Sequence, residues 1–281
     1  MSDLTQHGTA PIGVFDSGLG GLSVVRAIRQ RLPAEALIYI ADSRYAPYGE
    51  KSDTFIRARS VALSQWLIER GAKMLVVACN TATTHAIAHL RDQFALPIIG
   101  VEPGIKPAAL GSHSQVVGVL ATAATLRSDK LQGLLAAHGE ACRFVCQAGH
   151  GLVERIEQGE AEGTAVDALL AQYLQPMLDA GADTLVLGST HYAWLMPAIR
   201  RRFGDRFRLV ETATAIAQRV AQQLEQHGLV QGPGRDPAAG PAPITLCTTA
   251  QGEAQRLPLL RLAQGEDFAG AQVRAIDVEP V

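Results

Sequence analysis

Two short segments of this chain follow nearly the same pattern, and a protein that ends two strands in the same way has few ways to fold. Leu75-Val76-Val77-Ala78-Cys79-Asn80-Thr81 returns in the second half as Leu185-Val186-Leu187-Gly188-Ser189-Thr190-His191. The lead-ins agree too, Gly71-Ala72-Lys73-Met74 against Gly181-Ala182-Asp183-Thr184. Each copy is an apolar run short enough to be a buried strand, then a small residue, then three polar ones. Polar side chains are thereby presented at the carboxyl end of a strand, the edge at which open α/β sheets bind ligands. Two copies predict two half-sites able to face one another, one carrying a thiol and the other a hydroxyl. Gly13-Val14-Phe15-Asp16-Ser17 and Gly118-Val119-Leu120-Ala121-Thr122 form a fainter second pair in the same order. Together the pairs favour an internal repeat.

At 281 residues the chain has room for two domains of ordinary size, or one large one. A hydrophobic content of 47% against 19% charged residues supplies real cores and argues against disorder. A net charge of -2 and a pI near 6.4 leave no basic face for nucleic acid or anionic lipid. The triplet Arg200-Arg201-Arg202 reads as a solvated helix end. Met1 to Ala10 lacks the apolar core of a secretory signal, and no apolar run approaches the roughly 18 residues of a membrane span. These features predict a loose N-terminal tail on a cytoplasmic protein. The four cysteines, Cys79, Cys142, Cys146 and Cys247, are too few for a disulfide framework and read as reduced thiols.

In chain order, Pro11–Phe15 reads as a strand ending at Asp16-Ser17 and the turn Gly18-Leu19-Gly20-Gly21, with a helix from Leu22 to Arg31 stopped by Pro33. The glycine spacing matches neither dinucleotide nor P-loop fingerprints. It suits close approach of backbone amides and the Asp16 carboxylate to a small anionic ligand. Leu37–Ala41 is a second strand, delivering Asp42 to the turn Ala46-Pro47-Tyr48-Gly49, after which Asp53 is expected to cap a helix that Gly71 ends. The repeat strand follows, then a helix from Thr83 to Gln93 and a strand over Leu96–Val101. In the second half strands are expected at Val116–Leu120, Phe144–Cys146, Leu185–Leu187 and Phe207–Val210. The helices between and after them fall at Ser128–Ala137, Leu152–Gln158, Val166–Ala180, Leu195–Phe203 and Thr212–Gln226. Gly232–Pro243 reads as a flexible linker, and strands at Ile244–Thr248 and Val273–Val278 return to the first domain. The fold class is α/β: two pseudo-symmetric domains, each a mostly parallel sheet flanked by helices, with the active site between them. The first domain takes residues 8–103 and 213–281, the second 104–212.

Cys79 alone after a strand would ordinarily be a small core residue. Two hydrogen-bonding residues and a helix start follow it at once, and a helix dipole favours thiolate. Asp16, at the end of a neighbouring strand, can orient or protonate it, and the imidazole of His191 can serve the opposite half-site. Cys142, Cys146 and Cys247 read as packing residues. His85 and His89 stand one helical turn apart without a carboxylate between them, so no metal site is expected. None of Lys51, Lys73, Lys106 and Lys130 has a Schiff-base setting, so no pyridoxal phosphate is expected either.

Five segments carry a resemblance: Gly13-Val14-Phe15-Asp16-Ser17-Gly18-Leu19-Gly20-Gly21-Leu22, Pro47-Tyr48-Gly49-Glu50-Lys51, Ala78-Cys79-Asn80-Thr81-Ala82, Gly100-Val101-Glu102-Pro103 and Gly188-Ser189-Thr190-His191-Tyr192. In this order they resemble the signature segments of bacterial glutamate racemases, within the aspartate/glutamate racemase family. The resemblance implies cofactor-independent interconversion of L- and D-glutamate for peptidoglycan, by two cysteines on opposite faces of the substrate Cα. It implies Cys79 as the thiolate acting on D-glutamate, assisted by Asp16, and His191 as partner of the second thiol, with Glu154 nearby. It further implies Ser17, Tyr48, Gly49, Asn80, Thr81 and Thr190 as substrate-holding residues beside Asp16 and His191, with Thr122 joining them, and a homodimer whose small-molecule partner is glutamate.

The second cysteine is absent, and Ser189 occupies its place. A thiol with pKa near 8.5 can be a base at neutral pH, whereas an aliphatic hydroxyl lies closer to water at roughly 15.7, a gap of about 10 kcal/mol. Two-way racemisation is therefore expected to be lost or severely reduced while binding survives. A change made to trap substrate and a natural variant both fit Ser189. A non-catalytic amino-acid-binding protein, an aspartate racemase, and a Cys-His-Asp hydrolase with Cys79 bonded directly to His191 remain open alternatives.

Overall fold

A computed structural model describes residues 10–231, 241–265, 268 and 270–279. The expected tail at Met1–Ala10 and the linker at Gly232–Pro243 lie mostly outside these residues. Among the described residues, ten strands alternate with helices: β1 (Ile12–Asp16), β2 (Leu37–Ala41), β3 (Met74–Val77), β4 (Ile98–Gly100), β5 (Val116–Ala121), β6 (Arg143–Ala148), β7 (Thr184–Gly188), β8 (Arg208–Val210), β9 (Ile244–Thr248) and β10 (Gln272–Ala275). They form two parallel sheets, of order β10-β9-β2-β1-β3-β4 and β6-β5-β7-β8.

The repeat seen in the sequence is a repeat of pairing. Gly13 of β1 stands beside Leu75 of β3, and the matching Gly118 of β5 stands beside Leu185 of β7. The order β2-β1-β3-β4 thus recurs as β6-β5-β7-β8, and the first sheet adds β9 and β10 outside β2.

Both faces of the central strands β1, β3, β5 and β7 are covered, so these strands are buried along nearly their whole length rather than on alternate residues. In the first sheet Ile12, Val14, Met74 and Val76 enter one core, and Phe15, Leu75 and Val77 enter the other. In the second, Leu120, Leu185 and Leu187 face one core while Val117, Val119 and Val186 face its opposite. Each such side chain contributes about 1.5–3 kcal/mol by leaving water.

The helices are α1 (Leu22–Arg31), α2 (Asp53–Glu69), α3 (Asn80–Gln93), α4 (Ile105–Gly111), α5 (Ala123–Arg127), α6 (Asp129–His138), α7 (Leu152–Glu157), α8 (Thr164–Asp179), α9 (Met196–Phe203), α10 (Ala213–Gln226) and α11 (Glu253–Ala263). The chain crosses to the second sheet through α4 and returns through α10, which packs on α1.

Several expectations are corrected. Ser52, not Asp53, caps α2: its hydroxyl accepts from the Phe55 amide at 3.2 Å, while Asp53 pairs with His85 at 3.3 Å. Helix α3 begins at Asn80 rather than Thr83, because the polar residues after β3 are already its first turn. The strand expected at Leu96–Val101 shortens to β4, and α4, α5 and α11 had no sequence counterpart. Cys146 is exposed instead of packed, since β6 is an edge strand covered only in part, whereas Cys142 and Cys247 are buried.

Candidate active site

The carboxyl ends of β1 and β3 in one sheet and of β7 in the other meet around one small cavity. Its walls are Ser17, Pro47, Tyr48, Gly49, Cys79, Asn80, Thr81, Thr122, Val153, Ser189, Thr190 and His191. Cys79 and Ser189 thus enter one space from opposite sheets. The cavity measures about 10 Å³ and admits at most one water. All of the residues expected to hold substrate line it, apart from Asp16, which lies directly behind.

Asp16 is wholly buried and saturated with donors. Its Oδ1 accepts from the Ser17 amide at 2.6 Å, and its Oδ2 from the Gly21 amide at 2.5 Å and from the Thr190 hydroxyl at 3.0 Å. The last of these bonds crosses from one half-site to the other. Burial raises the Asp16 pKa, and the charge of His191 with the hydrogen bonds of Cys79, Ser17 and Thr190 only partly offsets it.

Cys79 is the N-cap of α3. Its sulfur accepts from the Ala82 amide at 3.4 Å and donates to Ser17 Oγ at 3.6 Å. The helix start favours thiolate, as expected, but it does not win. Burial first, and the Asp16 carboxylate second, push the thiol far above its ordinary range. Both effects favour the neutral thiol at Cys79, and a positive charge beside the sulfur would favour thiolate.

His191 is 2% exposed, and its backbone and ring press against Gly20, where an added Cβ would lie 2.5 Å from both His191 N and Nδ1. Its Nε2 meets Glu157 Oε1 at 2.6 Å. Burial pulls the imidazole pKa down, but the Glu157 hydrogen bond and the Asp16 charge outweigh it, leaving the value raised. Glu157 also accepts from the Leu19 amide at 2.5 Å and from Ser43 Oγ at 3.2 Å, so one carboxylate ties α7 to the first sheet's loops.

The expectation of Glu154 beside His191 is refined: Glu154 lines the neighbouring mouths with Pro47, and Glu157 holds the ring. Glu157 and Val153 were missed in the sequence. A second acid three residues on, along the same helical face, was the available signal. No hydrogen bond joins Cys79 to His191 among the described residues, which removes the geometric basis for a hydrolase dyad. Nor, among those residues, does any cluster of three or more His, Cys, Asp or Glu suit a metal ion.

The pattern of the family described as Asp/Glu/Hydantoin racemase matches residues 12–220. A glutamate racemase of Cupriavidus pinatubonensis is 57% identical over 228 residues, 81% of this chain and 84% of that protein. The chain belongs to the Asp/Glu/Hydantoin racemase family. A second family member, a glutamate racemase of Ralstonia nicotianae, is 57% identical over 79% of this chain and 80% of its own length. Among solved structures, a glutamate racemase isoform from Bacillus anthracis superposes with a TM-score of 0.84 at 28% identity, covering 98% of this chain and 100% of that one. The Escherichia coli glutamate racemase, solved with L-glutamate and the activator UDP-MurNAc-ala, does so at 0.81 and 33%, covering 96% and 99%. The two-sheet α/β architecture is therefore the architecture of the family, and Cys79 and Ser189 occupy equivalent strand ends within it.

Proposed function

We propose that this chain binds glutamate between its two sheets and exchanges the α-proton from one face only, a glutamate racemase in which Ser189 interrupts the second half of the reaction. The observation that carries this is the entry of Cys79 and Ser189 into one cavity from opposite sheets. Relatives named glutamate racemase at 57% identity support the substrate.

The substrate ammonium adds a positive charge to the cavity, which favours the Cys79 thiolate. With it in place, the Cys79 proton passes to Asp16, to which the thiol is hydrogen-bonded, and the thiolate removes the α-proton of D-glutamate. Reprotonation by Cys79 returns D-glutamate. Formation of L-glutamate needs a proton from Ser189, which would leave an alkoxide some 10 kcal/mol less accessible than a thiolate. Asn80, whose buried amide has no hydrogen-bond partner among the described residues, and the hydroxyls of Thr81 and Thr122 are available to the substrate carboxylates.

The same reading divides the chain into residues 8–103 with 213–281 and residues 104–212. It assigns the scaffold to D-glutamate supply for peptidoglycan, a role interrupted in this chain at Ser189, and the protein to the cytoplasm as a homodimer. No described helix is long and apolar enough to cross a membrane.

Deuterium incorporation at Cα in heavy water tests the proposal. D-glutamate exchanges without inverting, L-glutamate does not exchange, and Ser189→Cys restores racemisation in both directions. Saturable binding without exchange from either enantiomer, in both proteins, would identify an amino-acid-binding protein on this scaffold instead. Exchange of aspartate in preference to glutamate would reassign the substrate.

A further inference from the structure

Beneath the Tyr48 wall of the cavity lies a polar network that the chemistry above does not use. Asp42, wholly buried just past β2, accepts four side-chain hydrogen bonds. They come from Arg59 Nε at 2.8 Å, Arg59 Nη2 at 2.7 Å, the Tyr48 hydroxyl at 2.6 Å and the Thr249 hydroxyl at 2.8 Å. Arg59, on α2 and 2% exposed, gives its remaining nitrogen to the Val278 carbonyl at 2.5 Å and lies over the Tyr45 ring at 4.7 Å.

A buried ion pair is an expensive way to fill a core, since apolar groups of the same volume often do as well or better. What it supplies here is direction. The partners come from α2, from the turn at Tyr48–Glu50, from the end of β9 and from the C-terminal return at Val278, and of these only Tyr48 reaches the cavity. The Tyr48 hydroxyl is committed to Asp42, so Tyr48 meets a ligand with its ring and backbone. The adjoining Gly49 packs against Thr122 of the opposite sheet so closely that an added Cβ would lie 3.1 Å from the Thr122 Cβ. The position of this wall therefore sets how the two halves close.

We propose that Arg59 is a positioning residue for substrate binding: acting through Asp42, it fixes the Tyr48 hydroxyl and with it the Tyr48–Gly49 wall. The inference rests on the glutamate-binding reading above. The Val278 carbonyl, beyond the residues matched by the family pattern, brings the C-terminal return into the same network.

A double-mutant cycle on the full chain separates positioning from general stability. D-glutamate affinity is measured by calorimetry for the unsubstituted protein, Arg59→Lys, Tyr48→Phe and the double variant, with melting temperatures alongside. Each single change weakens binding about tenfold, and the double variant binds no more weakly than Tyr48→Phe alone. The melting loss from Arg59→Lys persists in both backgrounds. If Arg59→Lys weakens binding equally with and without the Tyr48 hydroxyl, or leaves affinity unchanged, the positioning role is wrong. Should Arg59→Lys not fold, Asp42→Asn takes its place in the same cycle with the same expected non-additivity. Failure of the unsubstituted protein to bind D-glutamate would instead remove the substrate reading, and this inference with it.

Discussion

At the scale of single residues, the site is governed by competition between burial and partners. Cys79 has what a reactive thiol needs, a helix N-terminus and a hydrogen-bond partner, yet burial and Asp16 keep it protonated. His191 faces the reverse contest, in which Glu157 wins. The raised imidazole pKa means that the pair's stabilisation is complete below about 6.5, the unfolded value, and fades as pH rises through the higher folded value. Glu157→Gln removes the charge and keeps the shape. The NMR titration midpoint of His191 should move down, the alkaline decline in stability should flatten, and about 1 kcal/mol of stability should be lost at pH 6. An unmoved His191 midpoint would show that Asp16 alone holds the imidazole. Cys79, Ser189, Asp16 and His191 were legible from residue types beside strand ends. Glu157 was not, because its role depends on which turn of α7 faces His191.

At the scale of elements, loops bring the strand ends to within contact distance. Gly20 has no room for a side chain: a Cβ would lie 2.5 Å from the His191 backbone and 2.7 Å from Thr190 Oγ1. Gly20→Ala should hold the half-sites apart at a cost of about 1–3 kcal/mol in the closed state, seen as weaker glutamate binding by calorimetry with unchanged far-UV circular dichroism. Unaltered affinity would mean that the loop yields freely.

Asp183 performs a structural task at the start of β7. Burial pushes its carboxyl up, but hydrogen bonds from Ser112, the Ser114 amide, Thr184 and the His113 amide outweigh it and hold the pKa at about 2. A depressed carboxylate contributes stability above its unfolded value, near 4, and that stability is lost as pH falls toward 2. Asp183→Asn should destabilise the protein at neutral pH and flatten the acid limb between about 4 and 2 in denaturant melts. An acid limb matching that of the unsubstituted protein would contradict this.

At the scale of the whole molecule, a cavity of about 10 Å³ is far smaller than an amino acid, so its walls give way as substrate enters, and separation of the two sheets is the expected route. Trp194 packs against cores of both sheets and is placed to report that motion. In stopped-flow fluorescence the observed rate should level off with glutamate concentration at the opening rate. A linear rise through saturating concentrations would mean that the cleft stands open in solution.

The sequence by itself determined the repeat, the parallel α/β class and the strand ends that carry chemistry, because these follow from local hydrophobic runs and the residues that stop them. It also gave one half-site a thiol and the other the hydroxyl of Ser189, and the resemblance to glutamate racemases marked that serine as the chemical exception. Tertiary structure alone decided that Cys79 rests as a thiol, that Glu157 holds His191, and that Arg59 and Asp42 stand behind Tyr48. Those outcomes depend on desolvation and on contacts between residues far apart in the chain, and neither is written in local sequence.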